Sequence, residues 1–243
     1  MKTNTEKPVL LLIPGMLNTA RIWNRVVPLL QDAADIRIAD VTSQSSIADM
    51  AHDAWALVAD VPVTQRLVVC GFSMGGYVAL ELIATNLIAN KSMGTWAIGL
   101  LNTSSRAETV EGMVTREKTI AAMERDFERV IQGVAAFGIH KSHHADTVLM
   151  TEALSIMREA GAQAGVRQLR AIMARADQGS LLPRIQARAL VMGAKNDLVV
   201  PPDASEEMAA SMAGAQLAWI EPAGHMTPLE QPAQVATLLK TLL

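Results

Sequence analysis

A chain of 243 residues, 50% hydrophobic and only 19% charged, has enough apolar surface for one sizeable domain and is too apolar to be disordered. Its formal net charge of −3 supplies no basic field, which argues against nucleic acid or an anionic membrane surface as a partner. The single cysteine, Cys70, excludes an intramolecular disulfide.

The first residues, MKTNTEKPVLLLIPG, look superficially like a signal peptide. The apolar run Val9–Ile13 is too short for that, Glu6 lies in its way, and Pro14-Gly15 ends it. No window approaches the apolar length of a membrane helix, so a cytoplasmic protein is expected. Val9–Ile13 instead reads as a strand, as does Ile36–Ala39. Residues 46–61 read as a helix: Ser46-Ile47-Ala48-Asp49 has the capping-box pattern, and Ile47, Met50, Ala51, Ala54 and Val58 fall on one stripe.

Leu67–Cys70 is a short β-branched run of the kind a doubly covered strand needs, which makes Cys70 a buried packing residue. It runs into Gly71-Phe72-Ser73-Met74-Gly75-Gly76, after which the pattern turns helical. A serine between glycines at a strand-to-helix junction also occurs by chance, in about one chain in twenty of this length, so the pattern alone does not decide its role. Thr95–Leu101 is the next strand.

From residue 108 to 182 no strand is expected. Ile120, Met123, Phe127, Val130, Ile131 and Val134 make one helical stripe; Leu149, Ala153, Ile156 and Met157 a second; Val166, Leu169, Ile172 and Met173 a third. Strands resume at Ala189–Met192 and Leu217–Ile220. The β/α alternation predicts an α/β fold with a mostly parallel, doubly wound sheet, formed by residues 1–107 and 183–243. The helical stretch 108–182 is expected to form a lid over the sheet's carboxyl edge, where such folds gather reactive groups.

A serine hydroxyl needs a base to take its proton, and the base needs an acid to fix its tautomer and steady its charge. The strand Ala189–Met192 leads into Gly193-Ala194-Lys195-Asn196-Asp197, and Leu217–Ile220 into Glu221-Pro222-Ala223-Gly224-His225. An acid and a histidine thus each follow a strand end. Their chain order with the serine is Ser73, Asp197, His225, the order expected when a nucleophile elbow opens an α/β sheet.

Through these motifs nearly the whole chain resembles the α/β-hydrolase superfamily. Gly-Phe-Ser-Met-Gly-Gly at 71–76 resembles its nucleophile elbow, Gly-Ala-Lys-Asn-Asp at 193–197 its acid turn, and Gly-His-Met at 224–226 its histidine loop. Leu-Leu-Ile-Pro-Gly-Met at 11–16, with Trp23 after it, is similar to the first oxyanion loop, although Pro14 stands where the family usually has histidine. Leu101-Asn102-Thr103-Ser104-Ser105-Arg106 and Leu169-Arg170-Ala171-Ile172-Met173 resemble small bacterial carboxylesterase-like members. The resemblance implies Ser73, Asp197 and His225 as catalytic residues and the backbone N–H groups of Met16 and Met74 as the oxyanion hole. The helical insertion matches the family's cap in position, and a sheet lacking the N-terminal strand pair is expected. Serine at 73 disfavours dehalogenase and epoxide hydrolase chemistry, which in this superfamily uses aspartate there.

The expected activity is hydrolysis of small, largely apolar carboxylic esters through an acyl-enzyme, needing neither metal nor organic cofactor. Met226, beside the histidine, is expected to line the acyl pocket with Met16 and Met74. Lactones, thioesters or a C–C bond suit the same three residues; for a carboxylated C–C substrate, Arg106 or Arg170 could supply the anion site. A third reading is a small-molecule receptor with very slow turnover. Asp203 is a fallback acid, His52 reads as solvated, and His140, His143 and His144 read as structural or surface residues rather than a zinc site. Composition suits monomer and dimer equally.

Overall fold

The computed structural model describes residues 7–88 and 96–243; Thr95 and the first six residues, both used in the reading above, lie outside that range. The described strands are β1 (Val9–Ile13), β2 (Asp35–Ile38), β3 (Leu67–Phe72), β4 (Trp96–Leu101), β5 (Arg188–Gly193) and β6 (Gln216–Trp219). They form one sheet in the order β2-β1-β3-β4-β5-β6, and every neighbouring pair is parallel. Among the described residues β1 is the first strand.

Both faces of this sheet are covered, which is why its inner strands are continuous apolar runs. Leu10, Leu12, Val68, Cys70, Phe72 and Met192 point to one side, where they meet Trp23, Leu30 and, from α9 (Pro232–Lys240), Val235 and Leu239. Val9, Leu11, Ile13, Val69 and Val191 point to the other. There they pack on Met50 of α1 (Ile47–Ala56), Val78 and Leu82 of α2 (Met74–Ile88), and Met208 of α7 (Pro202–Ser211). Helix α1 is shorter than the expected 46–61. Ser46 is its N-cap as expected, with Oγ accepting from Asp49 N at 3.0 Å, but the Asp49 carboxylate reaches back to the Ser46 hydroxyl, which donates to it at 2.7 Å.

Between β4 and β5 lie four helices: α3 (Val110–Arg125), α4 (Phe127–Gly138), α5 (Thr147–Ala160) and α6 (Ala162–Ala174). The stripe expected to run unbroken from Ile120 to Val134 is in fact two helices. Asp126 breaks it, because its Oδ1 accepts from Arg129 N at 3.0 Å and so caps α4. The apolar phase happens to continue across the break, which hid it. Thr109 caps α3 and Asp146 caps α5 in the same way. Buried residues of this segment, among them Met123, Ile131, Ile156 and Leu169, join the apolar cluster on the Phe72 side of the sheet. A last short helix, α8 (Thr227–Glu230), follows the histidine loop.

The strand order decides where a site can form. From β1 the chain first moves outward to β2, then returns to the other side of β1 with β3 and continues away through β6. The segments leaving β1 and β3 therefore diverge, opening a crevice at the carboxyl edge between them.

Candidate active site

Ser73 sits at that crevice, between the last residue of β3 and the first of α2. Its φ of 54° is left-handed, a conformation that costs a non-glycine residue roughly 1–2 kcal/mol. The turn is held by Ser73 N donating to Leu101 O at 2.9 Å and Thr103 Oγ1 donating to Ser73 O at 2.8 Å. Glycine is required on both sides of the serine. A Cβ at Gly71 would collide with the Gly75 carbonyl, and one at Gly75 with the carbonyl of Ile13. The sharp turn lifts the Ser73 side chain to a partly exposed position beside the N-terminus of a 15-residue helix.

The structure brings the three side chains singled out in the sequence into one hydrogen-bonded line. Ser73 Oγ lies 2.8 Å from His225 Nε2, and His225 Nδ1 lies 2.8 Å from Asp197 Oδ2. A carboxylate accepts only, so Nδ1 carries the proton and Nε2 is free to accept from the serine. Asp197 is buried and takes three further donors: Asn102 Nδ2 at 2.8 Å on Oδ2, and the N–H groups of Val199 and Val200 at 2.8 and 2.9 Å on Oδ1. Burial alone would push its carboxyl up. The neighbouring His225, the Val200 N–H and Asn102 outweigh that and hold it below the usual carboxylate range. Such a line can draw the proton from Ser73 while the imidazolium that forms is steadied by a buried charge.

The loop after β1 reaches the same point. A Cβ on Gly15 would stand 3.0 Å from that of Ser73, so the loop passes directly against the elbow. Among the described residues the N–H groups of Met16 and Met74 have no hydrogen-bond partner, and both residues line one cavity with Ser73 and His225. Two free amides beside a nucleophile can receive a developing oxyanion. The cavity measures about 80 Å³ and is otherwise mostly apolar, with Val134, Met157, Ile172, Val199 and Met226 among its walls. The inserted helices supply part of that wall, and His225 N donates to the Gly138 carbonyl at the end of α4 at 2.6 Å. A larger cavity of about 150 Å³ lies beyond Tyr77 but contains none of the three central side chains.

Other expected residues lie elsewhere. Arg106 is half-exposed and tied to Asp203 and Glu207, which removes both Arg106 as an anion site and Asp203 as an acid near His225. Arg170 is exposed. His143 Nδ1 meets the buried Glu230 carboxylate at 2.9 Å, and His140 donates its backbone N–H to the same oxygen at 2.8 Å. Glu230 also accepts from Gly224 N at 3.0 Å, so this cluster braces the histidine loop.

Three contributors were missed. Asn102, itself at φ 48°, supports Asp197 and accepts from Thr227 Oγ1 at 2.6 Å; its place at the end of β4 was the available signal. Gln168 of α6 is fully buried, accepts from Leu17 N at 2.9 Å and donates to Val41 O at 2.8 Å. It thereby pins the residue next to Met16. Arg116 of α3 lines the cavity; nothing in the local sequence marked it.

The sequence model of the alpha/beta hydrolase family matches residues 10–238. The chain belongs to this family. Among curated proteins none matches its sequence. Solved structures with the same fold include an esterase from Thermogutta terrifontis with malate bound, at 22% identity and a TM-score of 0.83, covering 97% of this chain and 89% of that one. An enol-lactonase from Burkholderia xenovorans LB400 is 20% identical with a TM-score of 0.84, covering 99% of this chain and 93% of the other. An esterase from Exiguobacterium antarcticum is 18% identical with a TM-score of 0.81, covering 98% and 92%. At these identities the likeness is one of fold. Among the described residues no helix is long and apolar enough to cross a membrane.

Proposed function

We propose that this family member is a serine hydrolase acting on small carboxylic esters. The observation that carries the reading is the continuous line Ser73 Oγ–His225 Nε2 and His225 Nδ1–Asp197 Oδ2, each at 2.8 Å, beside two unpartnered amides. Ser73 Oγ attacks the ester carbonyl carbon as its proton passes to His225 Nε2. The carbonyl oxygen becomes an oxyanion held by the Met16 and Met74 N–H groups; losing one such donor typically costs about 3–4 kcal/mol of transition-state stabilisation. His225 then gives its proton to the departing alcohol, leaving Ser73 acylated. A water, deprotonated by His225, hydrolyses the acyl-enzyme and restores the serine. Asp197 keeps the imidazole in the required tautomer throughout.

Helices α3–α6 act as the cap, because they wall the cavity and hold the histidine loop through Gly138. The cavity of about 80 Å³ is about half the size of the one beyond Tyr77, which favours a short bound group. A p-nitrophenyl ester series from acetate to octanoate tests this. Serine-dependent turnover that is best at the short end is expected. Equal turnover by Ser73→Ala would overturn the proposal.

A further inference from the structure

The catalytic cavity is mainly apolar, yet α3 places a guanidinium in its wall. Arg116 is the one arginine or lysine among the described lining residues, and its side chain is 27% exposed. Its Nε donates to Glu108. Among the described residues its two terminal nitrogens make no hydrogen bond. Tyr77, also in the wall, is 7% exposed, and its hydroxyl makes none either.

Glu108 does not neutralise this wall. The same Oε2 that accepts from Arg116 is shared with Arg175 Nη1 at 3.3 Å, and the Arg175 guanidinium lies 4.2 Å from the centre of the Tyr77 ring. Two guanidinium groups thus share one carboxylate. Burial works against ionisation of Glu108, but the two arginines outweigh it and hold its carboxyl below the usual range, so it is occupied as a counter-ion. Arg116, Arg175 and Glu108 together keep one positive charge in excess, and the other carboxylate acting on Tyr77, Asp197, is already taken by His225, Asn102 and the Val199 and Val200 N–H groups. A part-desolvated charge there is costly unless a ligand pairs with it. Arginine's planar fork suits a carboxylate, which it can grip through two parallel hydrogen bonds.

We propose that Arg116, with Tyr77 beside it, forms an anion subsite, and that the preferred substrates are short esters carrying a free carboxylate a few bonds from the scissile carbonyl. This rests on the ester hydrolase reading for its catalytic half. The excess charge is the reason for choosing an anionic substrate over the largely apolar one expected from the sequence. The uncommitted ends of Arg116 give the carboxylate its partner. Tyr77 adds a neutral hydroxyl donor.

The test compares two matched pairs: monoethyl succinate against diethyl succinate, and O-acetylglycolate against 2-methoxyethyl acetate. The anionic member should be preferred in at least one pair. The ratio of kcat/KM, anionic over neutral, should fall by roughly ten- to a hundredfold in Arg116→Met, the range for a lost charge-assisted hydrogen bond, and be largely kept in Arg116→Lys. No anionic preference in either pair, or a ratio indifferent to Arg116→Met, overturns the subsite. Succinate binding by calorimetry separates this from the chemistry. If the wild type turns over no ester, the hydrolase reading fails, while succinate binding that weakens about tenfold or more in Arg116→Met still supports the subsite. Absent binding, or equal binding by both proteins, overturns it.

Discussion

Gln168 links an inserted helix to the loop proposed to hold the oxyanion, and removing its polar atoms should affect stability and rate separately. Gln168→Met keeps a similar length and leaves two buried groups orphaned: Leu17 N–H, which now donates at 2.9 Å, and Val41 C=O, which now accepts at 2.8 Å. Each buried orphan costs about 1–3 kcal/mol, so a loss of about 2–6 kcal/mol is expected for the pair. Against the roughly 5–15 kcal/mol that holds a typical domain, the fold should survive. The rate effect comes from Leu17, held at φ 57° and directly bonded to Met16. Released from Gln168, the loop can relax, and the Met16 N–H leaves its place. Complete loss of one oxyanion donor costs about 3–4 kcal/mol, and partial misplacement should cost about half of it, lowering kcat by roughly ten- to thirtyfold with KM little changed. Urea unfolding measures the first effect and ester kinetics the second. A variant destabilised as expected but with kcat within about twofold of wild type would show that Gln168 is only a tether.

Acid sensitivity should be partly traceable to Asp197. Its folded carboxyl titrates below the usual value, so on acidification the unfolded chain binds this proton first. The stabilisation is complete above about pH 4–5 and disappears as pH falls through the folded value. The urea midpoint should therefore drop less between about pH 6 and 3 in Asp197→Asn than in wild type, and an equal drop would contradict this. Cys70 is fully buried, and burial pushes its thiol up to about 12. Iodoacetamide at mildly alkaline pH should leave it unmodified in the native protein and alkylate it in urea; rapid native labelling would refute that packing.

What the sequence made legible was whatever is encoded locally. The four inner strands are covered on both faces and so appear as apolar runs, and the half-exposed edge strands β2 and β6 still show through their apolar residues, each displaced by at most a residue or two. The elbow is local too, since its glycines answer to backbone clashes within a few residues. Asp197 and His225 were found because both stand just beyond a strand end. The break at Asp126 was missed because the helical phase survives it, although an aspartate three residues before Arg129 is an ordinary N-cap. Gln168 and Leu17 are 151 positions apart, and no periodicity announces such a bond. Nothing in the local sequence marks Arg116. Only the fold shows that its face of α3 meets the cavity, while Arg106, a more obvious choice, spends its charge on Asp203 and Glu207 at the surface.

The central claim is that Ser73 becomes covalently acylated with His225 as its base, and fluorophosphonate labelling followed by peptide mapping tests it most directly. The account predicts one adduct, on Ser73, formed in step with the loss of ester turnover, and no adduct in Ser73→Ala or His225→Ala. An adduct on another residue, or full turnover after Ser73 is completely labelled, would contradict it.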